Sequence, residues 1–154
     1  MHMKDFSKNK AKIAYTLLRL SMGWLFFYAG FSKIINPEWT AAGYLQNANT
    51  FPELFAAMAQ PGIIEIVNIL NEWGLLLVGV GLLLGLFTRI AAFGGVILMV
   101  LYYLPVLNFP HVAHGYLVDD HIIYMAALFV LIAVNAGHYF GLDRYLKILC
   151  KKKS

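Results

Sequence analysis

Four apolar runs dominate the chain, Ile13–Ile35, Ile63–Phe87, Ile90–Leu107 and Ile122–Phe140, separated by polar or proline-bearing segments. Each has roughly 18 to 25 residues, enough at about 1.5 Å per residue to cross a hydrocarbon layer about 30 Å thick. The pattern predicts an all-α membrane protein, a four-transmembrane-helix antiparallel bundle forming one domain over residues 1–154, with helices at about 13–35, 63–87, 90–107 and 120–141. Asn36-Pro37 ends the first, because the residue before a proline is pushed out of the helical region. Gly85–Arg89 is so short a link that the second and third must lie antiparallel. The third ends near Pro105, and Asp119 or Asp120 opens the fourth, a carboxylate being a good cap for exposed amides. Between Asn36 and Gly62 the scattered Trp39, Tyr44, Leu45, Phe51, Leu54, Phe55 and Met58 predict short interfacial helices, one starting at Pro52-Glu53.

Composition agrees with this reading and adds an orientation. Hydrophobic residues make up 60% of the chain and charged ones 13%, whereas soluble domains carry about 25% charged residues. Lys4, Lys8, Lys10, Lys12, Arg89, Arg144, Lys147, Lys151, Lys152 and Lys153 all fall on one side of a four-span layout. The two opposite loops hold Glu38, Glu53, Asp119 and Asp120 and no Lys or Arg. The positive-inside rule therefore predicts an inner-membrane protein with both termini cytoplasmic. The net charge of +4 then reflects topology and contact with anionic lipid, not nucleic acid. The first run is longer than a signal-peptide core of about 7–15 residues and is read as a retained helix. A single cysteine, Cys150, excludes a thiol relay within this chain.

Charges inside the apolar runs mark the candidate chemistry. Glu65 and Glu72 lie two helical turns apart, with Asn68 between them, so all three share one helix side. An ionised group facing lipid costs at least about 2.5–3.5 kcal/mol, so that side must face protein or a wet cavity. Counting rise from the helix ends sets Arg19 and Glu72 at levels about 6 Å apart, which predicts an Arg19–Glu72 ion pair as the catalytic centre. Lys33, Glu65, Asp120, His121 and Tyr124 collect at the outer end as candidate ligand-binding groups. Their chemistry is that of a polar pocket whose groups move protons or hydrogen-bond a redox ligand; interfacial capping and snorkelling are the alternative. His111, His114 and His121 with Asp119 or Asp120 could offer metal ligands, but none are paired at i, i+4, and no metal is expected. His121 and His138 stand about 25 Å apart on one helix, too far to share a haem iron.

Short signatures recur in order along the chain: Leu18-Arg19-Leu20-Ser21-Met22-Gly23, Tyr28-Ala29-Gly30-Phe31-Ser32-Lys33, Asn71-Glu72-Trp73-Gly74, Leu84-Gly85-Leu86-Phe87-Thr88-Arg89 and Gly141-Leu142-Asp143. Together these resemble the DoxX family, and within it the DoxD-like membrane subunit of thiosulfate:quinone oxidoreductase. The resemblance implies a four-helix membrane bundle, a quinone as cofactor, and a partner redox subunit or second copy, and it marks Arg19, Lys33, Glu72 and Arg89. A quinone-linked oxidoreductase subunit is the expectation. A non-catalytic assembly module and a small-solute carrier are its rivals.

Overall fold

The computed structural model describes residues 2–112 and 115–145, with side chains from residue 9 onward. His114, Lys147, Cys150 and Lys151 to Lys153 lie outside the described residues. The chain is mostly helical: α1 His2–Ile34, α2 Ala42–Gln46, α3 Pro52–Met58, α4 Ile64–Leu84, α5 Thr88–Val106 and α6 Asp120–Ala133. A two-stranded hairpin, His111–Val112 with Gly115–Tyr116, precedes α6, and a 3-10 turn, Ala136–His138, follows it.

Helices α1, α4, α5 and α6 pack in a ring, α1 on α4, α4 on α5, α5 on α6 and α6 on α1. Phe26, Leu75, Leu82, Leu128 and Leu131 are fully buried at its centre. Outside, Leu17, Trp24, Tyr28, Ile69, Trp73, Leu77, Ile90, Phe93 and Phe129 are exposed. A soluble monomer rarely exposes so much contiguous apolar surface. Among the described residues two helices, α4 and α5, are long and apolar enough to cross a membrane by length and composition.

Small residues set the register of α1 on α4. A Cβ on Gly30 would lie 2.5 Å from the Leu76 amide nitrogen, and one on Gly23 would lie 2.8 Å from that of Leu83. One on Gly79 would collide with the Phe27 backbone. Backbone therefore touches backbone, as small residues permit between membrane helices. Helix α4 also starts beyond the end of α1, because Ile64 and Val67 pack on a second apolar cluster of Ala41, Leu45, Ala48, Phe55 and Ala59. That cluster is the core of a lid made by α2 and α3. Pro52 occupies the first turn of α3, where its missing N–H costs nothing.

Two sequence expectations are corrected. Helix α1 begins at His2 rather than Ile13, since residues 2–12 contain no helix breaker and the apolar span has already nucleated the helix. Helix α6 stops at Ala133 instead of about residue 141, after 14 residues. Beyond it Asn135 turns left-handed at φ 54°. The segment then folds back onto the α4–α5 turn, Leu142 N–H donating to Leu84 O at 3.1 Å and Asp143 N–H to Gly85 O at 2.8 Å. Apolar patterning registers the hydrophobicity of this segment but not the tertiary hydrogen bonds that compete with helix.

Gly79→Ala is expected to destabilise the fold by about 1–3 kcal/mol, the usual range for forced overpacking. Gly74→Ala, whose Cβ would meet Leu98 at 3.7 Å, is expected to be neutral or stabilising. Thermal unfolding in one detergent compares the two.

Candidate functional site

The intramembrane charges are divided between the two ends of the bundle. Arg19 is 1% exposed and donates through Nη1 to Leu82 O at 2.6 Å and Leu83 O at 3.2 Å. Through Nη2 it reaches Phe140 O at 3.5 Å. Leu82 O and Leu83 O belong to the last turn of α4, where carbonyls run short of intrahelical donors; Leu82 O also accepts the Gly85 amide at 3.2 Å. Gly85, left-handed at φ 64°, completes the cap and lies against the Arg19 guanidinium. Asp143 supplies the countercharge to Arg19. Its carboxylate also accepts the amides of Phe87 at 2.7 Å and Thr88 at 3.0 Å, so it caps the start of α5. We call this end the clasp. Arg89 is exposed beside it.

The expected Arg19–Glu72 pair is not formed. Glu72 precedes Leu82 by ten residues, so it lies about 15 Å along α4 from the Arg19 hydrogen bonds. The depth count failed because it started α1 and α4 at opposite faces of one slab, whereas α4 overshoots α1 into the lid. The half-buried Glu72 is instead the acid whose charge acts on Lys33.

At the opposite, lid end lies a cavity of about 300 Å³. Trp39, Thr40, Ala41, Tyr44 and Leu45 with Phe55 and Met58 roof it, α4 contributes Val67, Leu70 and Asn71, α5 contributes Leu98, Leu101 and Tyr102, and Lys33 enters from α1. The Lys33 ammonium sits 4.9 Å from the centre of the Trp39 ring, a cation–π arrangement. Tyr102 donates to Asn71 Oδ1 at 2.8 Å. That bond leaves the Asn71 amide group as a free donor, no other hydrogen bond engaging Asn71 among the described residues. Leu70 and Leu101 are 66% and 45% exposed, so the cavity reaches the apolar flank of the bundle as well as the lid.

Polar bonds fasten the lid. Asn68 Oδ1 accepts the Ala41 amide at 2.9 Å, and Thr50 donates to Leu107 O at 2.5 Å. Tyr44 donates its hydroxyl to the Tyr102 carbonyl. Burial, then the neighbouring Tyr102 and the charge of Asp119, push the Tyr44 phenol up to about 12.

Of the remaining predicted residues, Glu65, Asp120, His121 and Tyr124 do not line the cavity, and Glu65 and Asp120 are exposed. Asp119, not Asp120, caps α6, accepting the amides of His121 at 3.0 Å and Ile122 at 3.3 Å. His121 stacks on Tyr102 with ring centres 6.0 Å apart. Tyr124 packs against the central core. Among the described residues no group of three His, Cys, Asp or Glu side chains is placed to hold a metal ion. Sequence reasoning did not pick Trp39, Tyr44, Asn71 or Tyr102 as site residues. The alternation of Asn71 and Glu72 beside the Gly30 contact is the signal that places one toward the cavity and the other toward α1.

Arg19→Leu, which takes the donor from three carbonyls, is expected to cost about 1–3 kcal/mol in thermal unfolding, the usual penalty for buried polar groups left unsatisfied. It is expected to leave the distant lid-end cavity able to bind. Because the folded pKa of Tyr44 lies above its ordinary value of about 10, the folded state holds that proton longer. Its contribution is present below about pH 10 and is lost as pH rises toward about 12. Trp39 fluorescence, compared between wild type and Tyr44→Phe, is expected to diverge below that window and converge above it.

Residues 14–107, from the first apolar turns of α1 to the end of α5, match the family model described as DoxX. No curated protein and no solved structure matches the chain. The family match covers more than half of the sequence and both helices apolar and long enough to span a membrane: the chain is a membrane protein that belongs to the DoxX family.

Proposed function

We propose that this chain is the membrane subunit of a quinone-linked oxidoreductase, and that the quinone ring occupies the lid-end cavity. The observation that carries the reading is the pairing there of two donors, the Lys33 ammonium and the Asn71 amide, among apolar and aromatic walls. A quinone presents two carbonyl acceptors on a flat apolar ring, and ligand sites of this kind combine apolar walls with a few placed polar groups. The exposure of Leu70 and Leu101 supports lateral entry from the bilayer, with an isoprenoid tail left in lipid. Glu72, acting on Lys33, keeps a compensating negative charge behind the donor.

In this reading α1, α4, α5 and α6 with its folded-back continuation are four spans in the inner membrane, termini cytoplasmic, so the lid lies outside and the clasp inside. Arg19 and Arg89 then stand at the cytoplasmic end, as the positive-inside rule requires. Electrons come from a reduced partner protein or subunit. A DoxD-like role in thiosulfate:quinone oxidoreduction is the specific form that the motif series favours, with thiosulfate handled by that partner. The structural use of Arg19 in the clasp favours a second reading, an assembly module without redox chemistry.

Titrating the purified protein with a short-tailed benzoquinone, read by Trp39 quenching, separates the two. Binding is expected, and Lys33→Met and Asn71→Leu are each expected to weaken it about tenfold, the equivalent of one hydrogen bond of about 1.4 kcal/mol. Absence of both saturable quenching and co-purified quinone would leave the assembly role.

A further inference from the structure

The polar groups that line the lid-end cavity are unevenly divided between donors and acceptors. Tyr44 gives its hydroxyl hydrogen to the Tyr102 carbonyl, and Tyr102 gives its own to Asn71 Oδ1. Thr40 Oγ1 is engaged with Asn68 and with the Ala42 amide. What stays open is the Lys33 ammonium and the Asn71 amide group, both of them donors.

Charge is divided as unevenly. Among the described residues that line the cavity, Lys33 alone is charged. It makes no ion pair with a described residue; the Trp39 ring face and the charge of Glu72 are what offset it. Glu72, which acts on Lys33, and Asp119, which acts on Tyr44, both stand outside the lining. A ligand in the cavity therefore meets the cation directly and the acids only from behind the wall. In surroundings of low dielectric a charge in contact outweighs an opposite one further off.

We propose that Lys33 makes this cavity selective for the anionic form of a quinone-type ring, the enolate of a hydroxyquinone, over a neutral quinone. The proposal rests on the quinone reading and names the class of ring that the site takes. The ammonium holds the ionised oxygen, and a hydrogen bond with charge on both partners is stronger than one to a neutral carbonyl. The Asn71 amide holds a ring carbonyl. An enolate has lost its hydroxyl hydrogen, so it asks for no acceptor in a cavity whose own hydroxyls are already committed. Leu70 and Leu101, exposed at the flank, leave room for an alkyl tail on the ring. Glu72 opposes the preference from behind Lys33 and so sets its upper limit.

The test dialyses the full chain in detergent micelles to equilibrium against two probes. One is lawsone, a hydroxynaphthoquinone that is an enolate at neutral pH; the other is its methyl ether, which has the same ring and cannot ionise. Dialysis against empty micelles corrects for uptake by detergent. Wild type is expected to bind the enolate about tenfold more tightly than the ether. Asn71→Leu is expected to weaken both about tenfold, since it removes a hydrogen bond common to the two. Lys33→Met is expected to weaken the ether about tenfold and the enolate about 100-fold, which erases the preference, whereas Lys33→Arg keeps it. Glu72→Gln is expected to raise the preference about threefold with the ether unaffected, a shift that a packing role of Lys33 could not produce. That variant and Lys33→Arg also carry the test should Lys33→Met fail to fold. Equal binding of the two probes by wild type, or a preference that survives Lys33→Met or stays unchanged in Glu72→Gln, would overturn the selectivity alone. Displacement of the enolate by an equal concentration of dodecanoate would show that charge is read without the ring and would overturn the assignment of the ligand class. Binding of neither probe would overturn the quinone reading and the selectivity together.

Discussion

Backbone contact between α1 and α4 is the constraint from which the rest of the molecule follows. Gly23, Gly30 and Gly79 let the two helices meet without intervening side chains, and this fixes which residues stand at one level. Arg19 is thereby delivered to the end of α4, and Lys33 to the neighbourhood of Glu72 and the cavity. A shift of one turn, about 5.4 Å, would unseat both. The glycines are thus as much a part of the site as the donors they position.

The division of charge between the two ends gives each a separate task. At the clasp, Arg19 and Asp143 satisfy helix ends that would otherwise leave bare carbonyls and amides in a low-dielectric region, while Arg19 Nε, Thr88 Oγ1 and His138 Nδ1 stay buried with no hydrogen-bond partner among the described residues. At the lid, polar groups are left partly unsatisfied: the Asn71 amide has no protein acceptor, and Lys33 has an aromatic face and a distant acid in place of an ion pair among the described residues. Buried unpartnered atoms thus stand at the clasp, whereas the open donors of the lid end face a cavity.

Much of the architecture was legible in residue order. Asn36-Pro37, Pro52 and Asp119 each act where local chemistry says they should, as helix stop, helix start and carboxylate cap. The site was legible only in part. Lys33 and His121 could be assigned to one common end of the bundle from their positions, since each lies within a turn or two of a helix terminus. The partner of Arg19 could not, because rise along a helix locates a residue only relative to its own helix. The overshoot of α4 past α1 depends on Ile64 and Val67 packing into a lid whose contacts are long-range. For the same reason the shortening of α6 was hidden: Leu142 and Asp143 are drawn away by bonds to residues 84 and 85.

The clasp has a consequence for biosynthesis. Its parts come from position 19, from 82–88 and from 137–143, so the α4–α5 turn stays uncapped until translation has passed Asp143. Helices inserted before that moment can associate through their glycines while the α4–α5 turn is still open. Closing that end with a segment made after all four packed helices makes Asp143 the residue whose arrival locks the bundle, and it leaves an unlatched end on any copy whose synthesis stops short of it.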